Sequence, residues 1–258
     1  MSPIQKVGTL VWGEIRKNMI ERTRYIGNTL TSIVTIYVVF LGIFYGFRGL
    51  AGPQLSETRL EVLILVYLSW LFALTGLQTF STEVSDEMQR GTLEQLYLSP
   101  FGIWSILVTR AFVELVWSFV FVGVILVLIM ATTGIWVPVL NASALAVILV
   151  SIPSLWGMGL AFGGLILFNK RSEGLLQILN FGLIGLVAVN AYPLSFASFL
   201  PFSAGAATLR AMLLDGAVLT PGWLGFLVGV SVCYLAAGAV AFLLFERAAR
   251  RRNLLGQY

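Results

Sequence analysis

Six apolar stretches constrain the fold of this chain more than any other feature. A helix that crosses a bilayer needs about 20 mostly apolar residues. Such stretches occupy residues 26–47, 60–80, 111–133, 142–168, 175–192 and 222–245. Only 11% of the residues are charged and 58% are hydrophobic, and a soluble particle of this size cannot bury so much apolar surface. The sequence therefore predicts an all-α membrane protein with six transmembrane helices in one domain, residues 1–258.

The basic residues between these stretches predict the orientation. With six crossings both termini lie on one side of the membrane, and that side carries 13 of the 16 Lys and Arg residues. Because cytoplasmic loops are enriched in Lys and Arg, we expect both termini in the cytoplasm. Residues 246–258 are predicted to form a basic tail on the same, cytoplasmic side. The net charge of +4 indicates topology and contact with anionic lipids, not nucleic-acid binding.

The residue types exclude several kinds of chemistry. Histidine is absent and cysteine occurs once, which removes histidine catalysis, the commonest metal ligand and thiolate clusters. No Gly-x-x-x-x-Gly-Lys-Ser/Thr phosphate loop occurs. The two longest segments between spans, 81–110 and 193–221, are too short for a nucleotide-binding domain. We expect no catalytic residue, metal site or cofactor in this chain.

Residues 1–25 predict an amphipathic helix. Apolar side chains recur at helical spacing, and most of the charged ones fall off that stripe. The stripe consists of Ile4, Val7, Val11, Ile15 and Met19. This pattern is typical of a helix in the membrane interface, here anchored by Trp12. A basic flank that only sets the topology is the alternative.

Residues 81–99 are acidic on the side where basic residues dominate. Gly91 interrupts the chain, Thr92 with Gln95 fits a capping box, and Ser99-Pro100 fits a helix start. We predict that the second span extends to about residue 90, that a short helix covers 92–98, and that a new helix begins at residue 100.

The short helix has two interpretations. It carries Leu93, Leu96 and Tyr97 on one face, which suits insertion into a groove of a partner. A capped hairpin in solvent explains the same pattern equally well.

This segment resembles the first cytoplasmic loop of type-2 ATP-binding-cassette (ABC) export permeases. The matching residues are Glu87, Gly91, Thr92, Leu93, Glu94, Ser99 and Pro100. In that family the loop carries a coupling helix that contacts a separate ATPase, and the resemblance extends along nearly the whole chain. It implies an ATPase-coupling site formed by Glu87, Gly91, Thr92, Leu93, Glu94, Leu96 and Tyr97.

The same resemblance implies the partners and the location. We expect two copies of an ABC ATPase, which bind ATP and magnesium, and a second permease copy that forms a homodimer. We expect the inner (cytoplasmic) membrane of a prokaryote, and export of an amphipathic or lipid-like cargo. The chain itself would be a transporter subunit and not an enzyme.

The segment 193–221 is too apolar for a solvated loop, and Pro193 and Pro201 divide it into pieces too short to span. We predict external re-entrant helices, because irregular backbone at membrane depth must be covered by protein or line a cavity. The run that ends at Arg210 resembles the family's external helices, which close the outer end of the pathway. A hairpin lying on the outer leaflet is the alternative.

Arg110 and Glu114 are four residues apart and can pair along one helix face. Charges near membrane depth usually face protein or water. The pair is either part of a cytoplasmic gate or a structural ion pair at the interface, and the second interpretation has the stronger support because Arg110 lies at the start of its span.

Two other functions compete with ATP-driven export. A secondary carrier or channel would need coupling residues or broken helices at mid-membrane, usually in related halves. A membrane enzyme that acts on lipids would need clustered polar groups at one interface. Glu83, Asp86 and Glu87 form the one acidic cluster, and solvation of a helix end explains it.

Overall fold

The computed structural model describes residues 3–51, 57–137, 141–168 and 173–251, and every regular element in these ranges is a helix. The α-helices are α1 (Pro3–Arg24), α2 (Ile26–Ala51), α3 (Glu57–Gln89), α4 (Leu93–Leu98), α5 (Ile103–Thr133), α6 (Ala142–Phe168), α7 (Glu173–Ala188), α8 (Ser203–Leu214) and α9 (Pro221–Arg251). One turn of 3-10 helix covers Phe196–Phe199.

Five of these helices are long and apolar enough to cross a membrane. The candidate spans are Ile26–Leu50, Leu60–Gln89, Ile103–Thr133, Ala142–Phe168 and Pro221–Arg251. By length and composition the chain is a polytopic membrane protein, and the all-α prediction is confirmed. The last span is longer than predicted, because α9 continues without a break into the first six residues of the predicted tail. The remainder of that tail, 252–258, lies outside the described residues.

The predicted span 175–192 is wrong in length. Helix α7 has 16 residues and ends at Ala188, so it measures about 24 Å and falls short of the roughly 30 Å hydrocarbon layer. The Val187 carbonyl, in the last turn of α7, and the Val189 carbonyl, just beyond its end, accept hydrogen bonds from Arg210 of α8, the second at 2.7 Å. Arg210 thereby satisfies carbonyl groups that the end of the helix leaves without an intrahelical partner.

Helix contacts define two ends of the bundle. At the first end, which we call the α4 end, Trp104 near the start of α5 packs on Phe242 near the end of α9. The end of α6 also meets α9 there, through Phe168 and Phe245. Helix α1 packs beside α5 at this end. At the opposite end, which we call the α8 end, Tyr192 packs on Trp223 in the first turn of α9.

Helix α6 is the centre of the core because glycines let it approach both neighbours. A Cβ atom at Gly157 or Gly238 would overlap the backbone of the facing helix, so α6 and α9 touch backbone to backbone. A Cβ atom at Gly159 would overlap the Leu77 carbonyl of α3. Small residues are what such close packing of membrane helices requires.

Residues 189–214 fold back into the bundle. The Phe199 carbonyl accepts a hydrogen bond of 3.1 Å from the hydroxyl of Tyr234, which lies 13 residues inside α9, a distance of about 20 Å. Helix α8 then returns to the α8 end, where Thr208 accepts a hydrogen bond of 2.7 Å from the Trp223 indole. The chain therefore enters and leaves at one end of the bundle, while the external re-entrant assignment stays a prediction. The breaks fall near Pro193 and Pro201.

Candidate functional site

The turn between α3 and α4 depends on a glycine and a carboxylate. Gly91 has φ of +67°, a conformation that side chains with a Cβ atom rarely adopt. The Thr92 hydroxyl donates to a carboxylate oxygen of Glu87 at 2.5 Å, and the Thr92 amide donates to the Glu87 carbonyl at 3.0 Å. The predicted capping box of Thr92 and Gln95 is wrong, since Thr92 makes no side-chain cap bond to α4. The hydroxyl donates its hydrogen bond to the nearby Glu87 carboxylate instead.

Helix α5 begins three residues later than predicted. Its first residue is Ile103, after Gly102 with φ of +70°. Ser99 does not cap a helix at Pro100. Its carbonyl accepts from the Gly102 amide at 3.1 Å, which closes a turn between α4 and α5.

Arg110 is the centre of a charge network at the α4 end. Its side chain is 12% exposed, and its guanidinium group contacts Glu83 at 2.8 Å and Glu87 at 2.7 Å, both on α3. A third carboxylate, from Glu14 on α1, lies at 3.2 Å. One buried cation therefore connects three helices, α1, α3 and α5. Through Glu87 it also reaches Thr92 at the start of α4.

Glu114 belongs to a second ion pair, so the predicted pairing of Arg110 with Glu114 is wrong. Both carboxylate oxygens of Glu114 accept from Arg22 of α1, at 2.6 and 2.8 Å. Asn18 accepts from the same guanidinium at 2.6 Å, and the Trp117 ring lies 5.0 Å from it. The i,i+4 spacing permits the predicted pair, but partners from other helices approach each charge.

Helix α1 turns its polar side toward the protein. Glu14, Asn18 and Arg22 make the contacts just described, while Val11 and Met19 of the predicted stripe, together with Trp12, are exposed. The side chains of Ile4 and Val7 lie outside the described residues. Sequence reasoning missed this inward face, although its signal is present: residues 14, 18 and 22 are four apart and fall on one side of a helix.

The surface of α4 differs from the predicted partner-binding face. Leu96 is buried in the core and anchors α4 to the bundle. It is therefore not available to a partner. Leu98, which the sequence interpretation did not select, is 85% exposed. The side chains of Leu93, Glu94 and Tyr97 lie outside the described residues.

A groove around α4 and a cavity along α3 adjoin the network. An open groove of about 340 Å³ is lined by Lys17, Arg90, Gln95 and other residues around α4. A second cavity of about 200 Å³ extends along α3, lined by Thr75, Gln78, Thr79, Thr82, Glu83, Arg110 and Glu114. The sequence interpretation overlooked this polar stripe within an apolar span. Its spacing of three and four residues is the signal that marks one helix face.

Arg210 lies far from this network, in the re-entrant segment. Its side chain bonds to carbonyl groups at the end of α7. The helix that carries it, α8, is buried from Ser203 to Leu209. A Cβ atom at Gly205 would overlap the Ser151 hydroxyl of α6. The sequence-predicted residues thus form two separate groups, one at each end of the bundle.

Comparisons add no family. No known protein-family model matches the chain, and no curated protein sequence matches it.

Proposed function

We propose that this chain is the membrane subunit of an ATP-driven exporter of the type-2 ABC kind. A homodimer would work with two copies of a separate ATPase that binds ATP and magnesium. The proposed setting is the inner membrane of a prokaryote, with both termini in the cytoplasm. The residue pattern at 87–100 supports this proposal, as does a polytopic fold with a short helix between two candidate spans.

The observation that carries the proposal is the position of the Glu87 carboxylate. It accepts a hydrogen bond from Thr92 at the start of α4 and forms an ion pair with Arg110 of α5. A displacement of α4 would therefore reach α5 through the Glu87 carboxylate, and α1 through Arg110 and Glu14. A subunit that converts movement of a partner into movement of its spans needs such a connection, and a solvated hairpin does not.

In this mechanism the chain performs no covalent chemistry. ATP binding would draw the two ATPase subunits together, and the ATPase would push on α4. The charged side chains would transmit that displacement to α1, α3 and α5 as one body, because breaking any of their contacts would leave a largely buried charge without its partner. Opening at the α8 end would then release an amphipathic or lipid-like cargo.

The α8 end would act as the outer closure. Arg210 holds α8 against the end of α7, so α7 and α8 move together while these bonds persist. Packed helices such as α7 and α8 have a few discrete arrangements, so a small displacement would switch the α8 end from closed to open. Pro193 and Pro201 mark the two points at which the segment changes direction.

The test uses Leu98, the exposed apolar residue of α4. The chain would be purified from its native membrane in mild detergent, and the proteins that accompany it identified. We expect a stoichiometric ATP-binding subunit that is lost in Leu98→Asp, because a charge on an apolar contact is costly to desolvate. Val218→Asp is the matched control, since Val218 is similarly exposed, at 80%, at the α8 end.

The outcome decides the proposal. Loss of the ATPase in Leu98→Asp alone, with a folded permease in both variants, supports it. An ATPase that remains bound in Leu98→Asp contradicts the docking role of α4, and a permease without any ATPase contradicts the exporter.

A secondary carrier or channel is the second candidate, and one observation favours it. The cavity along α3 presents Thr75, Gln78 and Thr79 inside a candidate span and ends at the charged side chains. Polar groups at membrane depth often mark a solute or ion pathway. Transport in vesicles that collapses with the ion gradient and does not require ATP would select this candidate.

A further inference from the structure

Helix α8 begins deep inside the bundle. Its neighbour α6 finishes at the α4 end and therefore begins at the α8 end, at Ala142. Ser151 lies nine residues after that start, or about 14 Å along the helix. Its hydroxyl faces the first turn of α8, because a Cβ atom at Gly205 would overlap it. The chain therefore places the N-terminus of a helix about halfway through a hydrocarbon layer of roughly 30 Å.

The first turn of α8 presents unpaired backbone donors. The first hydrogen bond of the helix joins the Ala206 amide to the Phe202 carbonyl at 3.0 Å. The amides of Ser203, Ala204 and Gly205 precede that bond, so they have no acceptor within the helix. All three residues are buried. Amides at this depth cannot turn to bulk water, and leaving them unpaired is costly.

Two buried hydroxyl groups of the same region lack partners as well. Ser203 is fully buried and Ser151 is 2% exposed. Within the part of the chain that the structure describes, neither hydroxyl oxygen makes a hydrogen bond. Ser154, less than one turn further along α6, shows the usual arrangement, since its hydroxyl donates to the Ser151 carbonyl at 2.6 Å. Buried polar groups without a protein partner commonly bind a water molecule or an ion.

The sign of the local field favours an anion. The carbonyl groups of Phe199 and Phe202, which precede α8, already accept from Tyr234 and Ala206. The unpaired groups that remain can all donate. The aligned peptide dipoles of α8 add a partial positive charge at its N-terminus. Neither α6 nor α8 contains an Asp or Glu that would repel an anion. Free amides at a helix N-terminus are a common anion-binding arrangement.

From this arrangement we infer that the N-terminus of α8, together with the hydroxyl groups of Ser151 and Ser203, binds one monovalent anion of the size of chloride. A small ion suits the site because Gly205 brings α8 against the Ser151 hydroxyl. A divalent ion would need a basic partner. Helix α6 has no Lys or Arg, and Arg210 of α8 bonds to α7. The inference does not depend on ATP or on the exporter.

A bound anion has a structural consequence for the re-entrant segment. It would join the inner end of α8 to α6, while Arg210 holds the outer end of α8 to α7. Both ends of this short helix would then be fixed by charged groups, one from the solvent and one from the chain.

The anion dependence of thermal stability tests the inference. The full chain would be purified in detergent with sodium gluconate, and chloride would replace gluconate at constant ionic strength. A ligand that binds only the folded protein raises the unfolding temperature with a half-saturating concentration set by its affinity. We expect a saturating rise with chloride and with bromide, and no saturating rise with sulfate.

Variants locate the binding. Ser151→Ala and Ser203→Ala each remove one donor, and each should raise the half-saturating chloride concentration about tenfold, the contribution of one hydrogen bond to a charged group. Ser118→Ala is the matched control, because Ser118 is also buried but donates to a carbonyl of its own helix, α5, at 2.9 Å. This control should leave the half-saturating concentration unchanged. Comparing concentrations separates binding from any change in baseline stability.

Three results would overturn the inference. One is an unfolding temperature of the unmodified chain that does not saturate with chloride or bromide, which would leave the donors to a water molecule. Another is the same half-saturating concentration in Ser151→Ala, Ser203→Ala and Ser118→Ala, which would place the bound anion elsewhere. The third is equal saturation with sulfate, which would show a site that does not select a small monovalent ion.

Discussion

Replacing Arg110 by glutamine should destabilise the protein by about 3 kcal/mol. Removing one partner of a buried ion pair costs about 3–5 kcal/mol, because the remaining charge stays buried without compensation. Here three carboxylates are left facing one another, from Glu14, Glu83 and Glu87. We expect the lower end of the range because the Glu83 side chain is 38% exposed and can turn toward water.

A second substitution tests this reasoning more sharply, because the change that it causes in the free energy of unfolding should reverse its sign between two backgrounds. In the unmodified chain Glu14→Gln removes a carboxylate from Arg110 and should cost about 1 kcal/mol. In the Arg110→Gln background the same change should stabilise the protein, because it relieves repulsion from Glu83 and Glu87. A double-mutant cycle isolates this coupling.

The assay is the apparent unfolding temperature of the detergent-purified protein, measured by size-exclusion chromatography after heating. A loss of 3 kcal/mol corresponds to roughly 10 °C in a chain of this size. The control is Arg250→Gln, since Arg250 is half exposed and pairs with Glu246 within one helix, a type of pair worth a few tenths of a kcal/mol. Equal shifts for Arg110→Gln and Arg250→Gln, or further destabilisation by Glu14→Gln in the Arg110→Gln background, would refute the network.

Two further predictions concern packing and orientation. Gly238→Ala should destabilise the protein by about 1–3 kcal/mol because a Cβ atom overlaps the backbone of α6, while Gly229→Ala, which has open space around it, should change the unfolding temperature little. Equal behaviour of the two alanine variants would contradict the close approach of α6 and α9. In a chain without its native cysteine, Val218→Cys should react with an impermeant thiol reagent from outside intact cells, and Gln95→Cys only after the membrane is permeabilised. The reverse labelling would invert the predicted orientation.

Helix positions were largely predictable from the sequence. Apolar runs of about 20 residues located the five long helices, because burial in lipid requires nearly every residue of a span to be apolar. Gly91 predicted an interruption before the short helix, and Pro193 and Pro201 predicted the break before α8. The prediction failed at α7, where the apolar run continues beyond the helix. Hydropathy does not reveal that the helix ends at Ala188, where Arg210 satisfies carbonyl groups at and beyond its last turn.

Charge partners were not predictable in the same way. The pattern placed Arg110 and Glu114 on one helix face, and local spacing alone favoured their pairing. The structure brings α1 across the start of α5, which supplies Arg22 to Glu114 and Glu14 to Arg110. Sequence separation carries no information about such contacts, since the paired residues are more than 90 positions apart.

Local chemistry therefore determines where this chain is helical, and the packing of α1, α3 and α5 determines which of its few charges meet. A membrane-spanning helix can be recognised from the sequence because the surrounding lipid requires an apolar side chain at nearly every position, whatever the neighbouring helices are. An ion pair between helices depends on where the helices cross, as α1 crosses α5 here. The orientation of α1 is the clearest case. Its amphipathic pattern alone does not show whether the polar side faces solvent or protein, and the charged partners on α5 decide it.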